Sequence, residues 1–159
     1  MDNYKKKEIL RAMIETEKNV AALYTLFAAR FKEDREFWKT ISLEEEQHAA
    51  MLGSGVLHLA LQILPDVVLL DKLPELRLTN ESIKKIIEVY AKKLPPKEEA
   101  YNFAIQMEKS LSEAFFQELL RMKDAPELVA LWQKLGAETV EHSKKIRSLL
   151  PVRRAHDEI

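Results

Sequence analysis

The stretch SLEEEQHAAM, residues 42–51, carries a glutamate and a histidine three residues apart inside a helix-forming segment. Residues at i and i+3 share one helix face, so Glu45 and His48 can reach the same point in space. Ile41 and Leu52 mark that face as the apolar one. Carboxylate oxygens and imidazole nitrogens are suitable ligands for iron, manganese or zinc. A charged group buried without a partner is costly, and several of them converging make sense when a cation lies between them. Glu17, Glu108 and His142 meet the same description, each sitting among apolar neighbours at helical spacing.

Four long helices must carry these residues. The first begins at a cap formed by Asp2–Asn3 and runs to about Lys32, with an inward stripe of Met13, Glu17, Val20, Tyr24, Phe27 and Phe31. The second runs from about Arg35 through Trp38, Ile41, Glu45, His48 and Leu52, and Gly53 and Gly55 loosen its end. Residues 65–78 read as a long apolar connection, after which Thr79 or Asn80 caps a short helix that Pro95–Pro96 ends. Lys97 starts the third long helix, which continues to about Lys123 through Ala104, Glu108, Leu111, Phe115, Leu119 and Met122. Asp124 and Pro126 open the fourth, with a stripe of Leu128, Leu131, Leu135, Glu138, His142, Ile146 and Leu149, and Pro151 closes it.

The two halves repeat one another. IETEKNVAALY at 14–24 lies over IQMEKSLSEAF at 105–115, which matches Glu17 to Glu108 and Lys18 to Lys109. Arg30 matches Arg121. Past a three-residue insertion, Trp38 meets Trp132, Glu44 meets Glu138 and His48 meets His142. Two related hairpins joined by a crossover predict an all-α, pseudo-symmetric four-helix bundle. The expected organisation is a single domain over residues 1–151, with hairpins at 3–64 and 96–150, a crossover with its short helix at 65–95, and a polar tail at 152–159.

Composition narrows the chemistry. The 25 basic and 26 acidic residues balance, which leaves no electrostatic footprint for nucleic acid. There is no cysteine, so disulfides, thiolate metal sites, iron–sulfur clusters and thiol catalysis are excluded. MDNYKKKEIL is too polar for the apolar part of a signal peptide, and the expected setting is cytoplasmic. The apolar run 49–70 is interrupted by His58, Gln62, Pro65 and Asp66, which argues for a buried helix end or a subunit interface rather than a membrane span.

Two divalent ions carry four positive charges, against which Glu17, Glu45 and Glu108 supply three negatives. The position three before His142 is Thr139, so the second Glu-x-x-His lacks its glutamate. Glu138, on the same stripe as His142, is the preferred fourth carboxylate, while Glu141 lies nearer the helix flank. Tyr24, two turns after Glu17, is placed to hydrogen-bond a ligand or pass electrons. Trp38 and Trp132 read as packing residues, and His58 and His156 are not expected to be ligands.

With these residues in place, the chain resembles the rubrerythrin-like branch of the ferritin-like superfamily. The resemblance spans about 14–52 and 97–148 and rests on AMIETEKNVAALYTLFA, EEEQHAAML and AYNFAIQMEKSLSEAFFQEL. It implies Glu17, Glu45, His48 and Glu108 as ligands of two iron ions, with Glu45 and Glu108 bridging and His142 as the second histidine. Manganese or zinc are the alternative metals. Thr139 departs from the family pattern, and Leu111 offers no carboxylate where rubrerythrins use one. The implied activity is a di-iron oxidoreductase that reduces peroxide or oxidises ferrous iron with peroxide or dioxygen as oxidant. Its electrons would come from a separate donor, and the chain would assemble as a homodimer or larger homo-oligomer. The competing expectations are an iron-binding or storage protein without turnover, and a metal-free bundle serving as an interaction module.

Overall fold

A computed structural model describes residues 3–54, 66–119 and 126–152. These residues are all-α, with no strand among them. Helix α1 spans Asn3–Arg30, α2 Arg35–Gly53, α3 Asp66–Lys92, α4 Lys97–Leu119 and α5 Pro126–Ser148. A 3-10 turn, Lys32–Asp34, links α1 to α2.

That link is short because Phe31 anchors it. The Phe31 N–H still reaches the Phe27 carbonyl at 2.8 Å, and the Asp34 N–H returns to the Phe31 carbonyl at 3.1 Å. The Phe31 ring is buried edge-on against Phe27 and Tyr101. With so tight a turn α2 folds back along α1, and the two helices pack on each other, as do α4 and α5. At the far end of α2, Ser54 closes the helix with its N–H on the Met51 carbonyl.

The stripes run as periodicity predicts. Met13, Val20, Tyr24, Phe27 and Phe31 of α1 are buried, and so are Trp38, Ile41, Glu45, His48 and Leu52 of α2. Ala100 and Ala104 of α4 are buried in the same core as the rings of α1 and α2. Phe27 touches both Trp38 and Tyr101, with centroids 4.9 and 6.2 Å away. Burying aromatic rings against one another is worth about 0.5–1.5 kcal/mol per pair beyond the area removed from water.

The expectation of an apolar connection over 65–78 and a helix capped at Thr79 or Asn80 is corrected. Helix α3 is continuous from Asp66 and carries Pro74 within it. Asn80 does not cap a helix. It is buried, donates to the Ala12 carbonyl at 3.0 Å, and accepts from the Asn19 amide at 3.0 Å. Those bonds, the buried Leu76 and Ile83, and the ion pairs Arg77–Glu8 and Lys84–Glu15 dock α3 along α1. Proline inside a helix removes a hydrogen bond and costs about 3 kcal/mol, and this docking offsets it.

Several expectations fall outside the described residues: the cap at Asp2, Gly55, Asp124, His58, His156, the ends of the two hairpins near 64 and 123, and most of the apolar run 49–70. The side chains of Phe115, Leu119, Leu128, Leu131 and Trp132 fall outside them as well. Among the described residues no helix is long and apolar enough to cross a membrane.

Candidate metal centre

Helix α2 delivers Glu45 and His48 from one face, as their three-residue spacing requires. Helix α1 brings Glu17, α4 brings Glu108 and α5 brings His142. Glu45, His48, Glu108 and His142 are 3, 4, 2 and 1% exposed, so four ionisable side chains sit in the interior. They fall into two groups of potential ligands, Glu17–Glu45–His48 and Glu45–Glu108–His142. In each group the ligand atoms lie within 4.8 Å of one another, and Glu45 belongs to both.

The two oxygens of Glu45 face different histidines. Its Oε2 lies 3.2 Å from Nδ1 of His48, and its Oε1 lies 2.7 Å from Nδ1 of His142. Glu17 approaches the same nitrogen of His48 at 3.8 Å, and Glu108 that of His142 at 3.7 Å. The imidazole rings lie nearly parallel, 5.9 Å apart. The Tyr24 hydroxyl donates to Oε1 of Glu108.

Each histidine is held from outside by a carboxylate of the other helix. Nε2 of His48 meets Glu138 of α5 at 2.6 Å, and Nε2 of His142 meets Glu44 of α2 at 2.6 Å. A carboxylate only accepts, so Nε2 carries the proton. A ring that then loses its second proton does so at the inward Nδ1, which leaves the tautomer that a metal ligand requires. Glu44 and Glu138 are matched positions of the internal repeat, as are His48 and His142, and the strapping is therefore reciprocal.

Burial and charge set the protonation of the metal-free cluster. Burial pushes Glu17 up to about 8, with the Glu45 carboxylate adding to the shift. Glu108 is raised by burial and then by the charge of Glu45. Burial opposes a charged ring at His48, but the neighbouring carboxylates Glu17 and Glu45 outweigh it and carry the ring up to about 11. His142 reaches about 10 in the same way, through Glu108 and Glu45. Burial works against the Glu45 carboxylate, yet the His142 and His48 rings beside it hold it down at about 2. Two imidazolium ions thus stand among the carboxylates.

The residues fit a bound cation on a structural observation. Oε1 of Glu45 and Nδ1 of His142 are buried and have no hydrogen-bond partner among the described residues, although they lie 2.7 Å apart. A buried polar atom left unmade costs about 1–3 kcal/mol, and a cation shared by these two atoms would remove that cost.

Of the six expected ligands, the fold brings Glu17, Glu45, His48, Glu108 and His142 together. Glu138 lies outside both groups, on the far nitrogen of His48, with its side chain 40% exposed. Thr139 turns its hydroxyl back to the Leu135 carbonyl at 3.0 Å and offers the cluster nothing. Glu44 is the partner of His142, a role legible only in its repeat match to Glu138. Tyr24 takes the place expected for a hydrogen bond to a ligand. The sequence reading missed Tyr101, whose hydroxyl accepts from the Trp38 indole at 2.9 Å and donates to Asp34 at 2.7 Å. No local spacing signals that contact, because α4 and the α1–α2 link meet only in the folded chain.

No family model, curated protein or solved structure matches the chain.

Proposed function

We propose that α1, α2, α4 and α5 form a ferritin-like four-helix bundle of the rubrerythrin-like kind that holds two iron ions, and that the protein is a dimetal-carboxylate oxidoreductase. The observation that carries this reading is the pair of three-residue ligand groups sharing Glu45. A bound iron pair would supply two electrons to peroxide or dioxygen. Peroxide reduction and ferrous-iron oxidation are the reactions this supports, with electrons from a separate donor. Manganese could serve the same residues; zinc would hold the fold without redox chemistry.

The chain's own contributions follow from the contacts. Glu45 would serve both ions. Glu17 and His48 would complete the first group, Glu108 and His142 the second. Glu138 and Glu44 keep the imidazoles in the donor tautomer and fix their rotation. Tyr24 orients Glu108 through Oε1. Val20, Ile41 and Ile105 are buried and belong to the apolar interior that keeps bulk water out. Glu44 and Glu138 are partly exposed and give a cation an acidic rim to enter by.

Anaerobic loading with Fe(II) followed by desalting tests the reading. The expected result is about two irons per chain, as in bridged carboxylate pairs, with Fe(II) oxidation by peroxide faster than in buffer. Glu45→Ala should lose both. Loaded protein that leaves oxidation at the buffer rate sinks the enzyme reading. That outcome would favour a protein that holds iron without turnover, a reading supported by Thr139, where a fourth carboxylate is missing.

A further inference from the structure

From the candidate centre an unbroken line of oxidisable rings leads to the surface. The Tyr24 hydroxyl is bonded to Glu108, and its ring packs on Trp38 with centroids 5.1 Å apart. Trp38 is fully buried and packs on Tyr101 with centroids 4.8 Å apart, while its indole N–H donates to the Tyr101 hydroxyl at 2.9 Å. Tyr101 in turn donates to Oδ2 of Asp34 at 2.7 Å. Lys97 closes the line at the surface, 2.7 Å from that same carboxylate and over the Tyr101 ring.

Asp34 also lines an open hollow of about 380 Å³ formed by residues 32–37. The hollow lies at the α1–α2 turn, where a solute can approach. Phe37, in its wall, meets Trp38 edge-on with centroids 5.1 Å apart. Packing alone explains rings in a core, but it does not require a tyrosine hydroxyl that accepts from an indole and donates to a carboxylate. Electron tunnelling falls steeply with distance, so rings in contact form a fast route. A phenol gives up an electron more easily when a base takes its proton.

We propose that Trp38, Tyr101 and Asp34 form an electron-entry relay from the hollow at residues 32–37 to the buried centre, with the Tyr24 ring as its inner link. The role of the centre as final electron acceptor rests on the iron reading above; the relay itself is a property of the metal-free chain. The Trp38 indole would pass one electron inward through Tyr24 and Glu108 to an oxidised centre. Tyr101 then gives one electron to the indole and its phenolic proton to Asp34, which leaves a neutral tyrosyl radical and restores Trp38. A one-electron donor in the hollow returns the electron to Tyr101, and Asp34 returns the proton. One electron has passed from donor to centre, and every relay residue is as it began.

The chain has no cysteine, so Glu36→Cys gives a single attachment point for a ruthenium polypyridyl photo-oxidant beside the hollow. Trp132→Phe in the same chain leaves Trp38 as the only indole. After flash oxidation of this metal-free protein, an indole radical should decay into a tyrosyl radical, seen by transient absorption. Tyr101→Phe, which keeps the ring and removes the hydroxyl, should lengthen the indole radical's life by about tenfold or more. Asp34→Asn should slow the same step and abolish its dependence on D2O. An indole radical with the same lifetime in the parent and in Tyr101→Phe overturns the relay, whether or not the chain binds iron. In iron-loaded protein, ferrocyanide should re-reduce the oxidised centre about tenfold more slowly in Tyr101→Phe at unchanged iron content. Equal rates overturn entry through the hollow. Failure to retain iron would condemn the function proposed above and leave the photochemical result to decide the relay.

Discussion

At the scale of single residues, the most informative contacts are the two that lie just outside the ligand groups. Glu138 and Glu44 each hold a histidine of the other helix by Nε2 at 2.6 Å. Removing such a carboxylate frees the ring to rotate and to change tautomer, and typically costs roughly 10–100-fold in metal affinity. Glu138→Gln and Glu44→Gln should each weaken metal binding by about that factor, measured by titration against a competing chelator. Similar losses in the two variants follow from the reciprocal arrangement; unchanged affinity in both would mean the outer carboxylates are ordinary surface partners. Glu17, Glu45 and His48 are legible in the sequence, since their faces follow from helical spacing. The site of Glu138 is not, because a residue's distance along α5 does not say which nitrogen of which ring it meets.

At the scale of the helices, α3 shows how docking overrides local preference. Pro74 withdraws an N–H from the helix ladder and crowds the carbonyl of residue 70, and proline normally ends a helix rather than sitting inside it. Asn80 is a good cap by type, yet it is spent on α1, bonded to Ala12 and Asn19. Urea unfolding should separate the two effects. Pro74→Ala is expected to raise stability by up to about 3 kcal/mol. Asn80→Ala should lower it by about 1–3 kcal/mol, since it removes the two hydrogen bonds that tie α3 to Ala12 and Asn19. No loss in Asn80→Ala would show that apolar contacts alone seat α3. The long helices were readable because 3.6-residue periodicity is a local property, whereas the start of α3 depends on a partner helix remote in sequence.

Across the whole molecule, the buried cluster couples stability to pH, and a bound metal would enter the same coupling. In the folded metal-free chain His48 and His142 are raised from 6.5 to about 11 and about 10. Their contribution is fully present below about pH 6.5 and is lost as the pH rises through 10 to 11. Glu17 acts in the same direction, from 4.5 to about 8. Glu45, lowered from 4.5 to about 2, acts oppositely, and its contribution disappears as the pH falls through that window. The Tm of metal-free protein should therefore peak in mildly acidic buffer and fall toward alkaline pH. Metal ligands must shed their protons, so loading should release protons and strengthen with rising pH. A pH series of melting curves, with and without metal, checks both. Identical profiles would mean the metal does not displace these protons.

What the sequence determines by itself is local: helix-forming segments, their apolar faces, and the glutamates and histidines that lie on those faces at i and i+3. The internal repeat extends this to a matched pair of hairpins, because matched residues on matched faces must lie at matched depths. Which atoms meet is decided only when the helices pack. Glu45 divides its oxygens between His48 and His142, the outer carboxylates exchange partners between α2 and α5, and Tyr101 bridges Trp38 to Asp34. Each of these contacts joins residues more than sixty positions apart or depends on one that does, and helical periodicity carries no information across such a gap. The distances and angles that turn a set of ligand types into a site therefore come from tertiary packing.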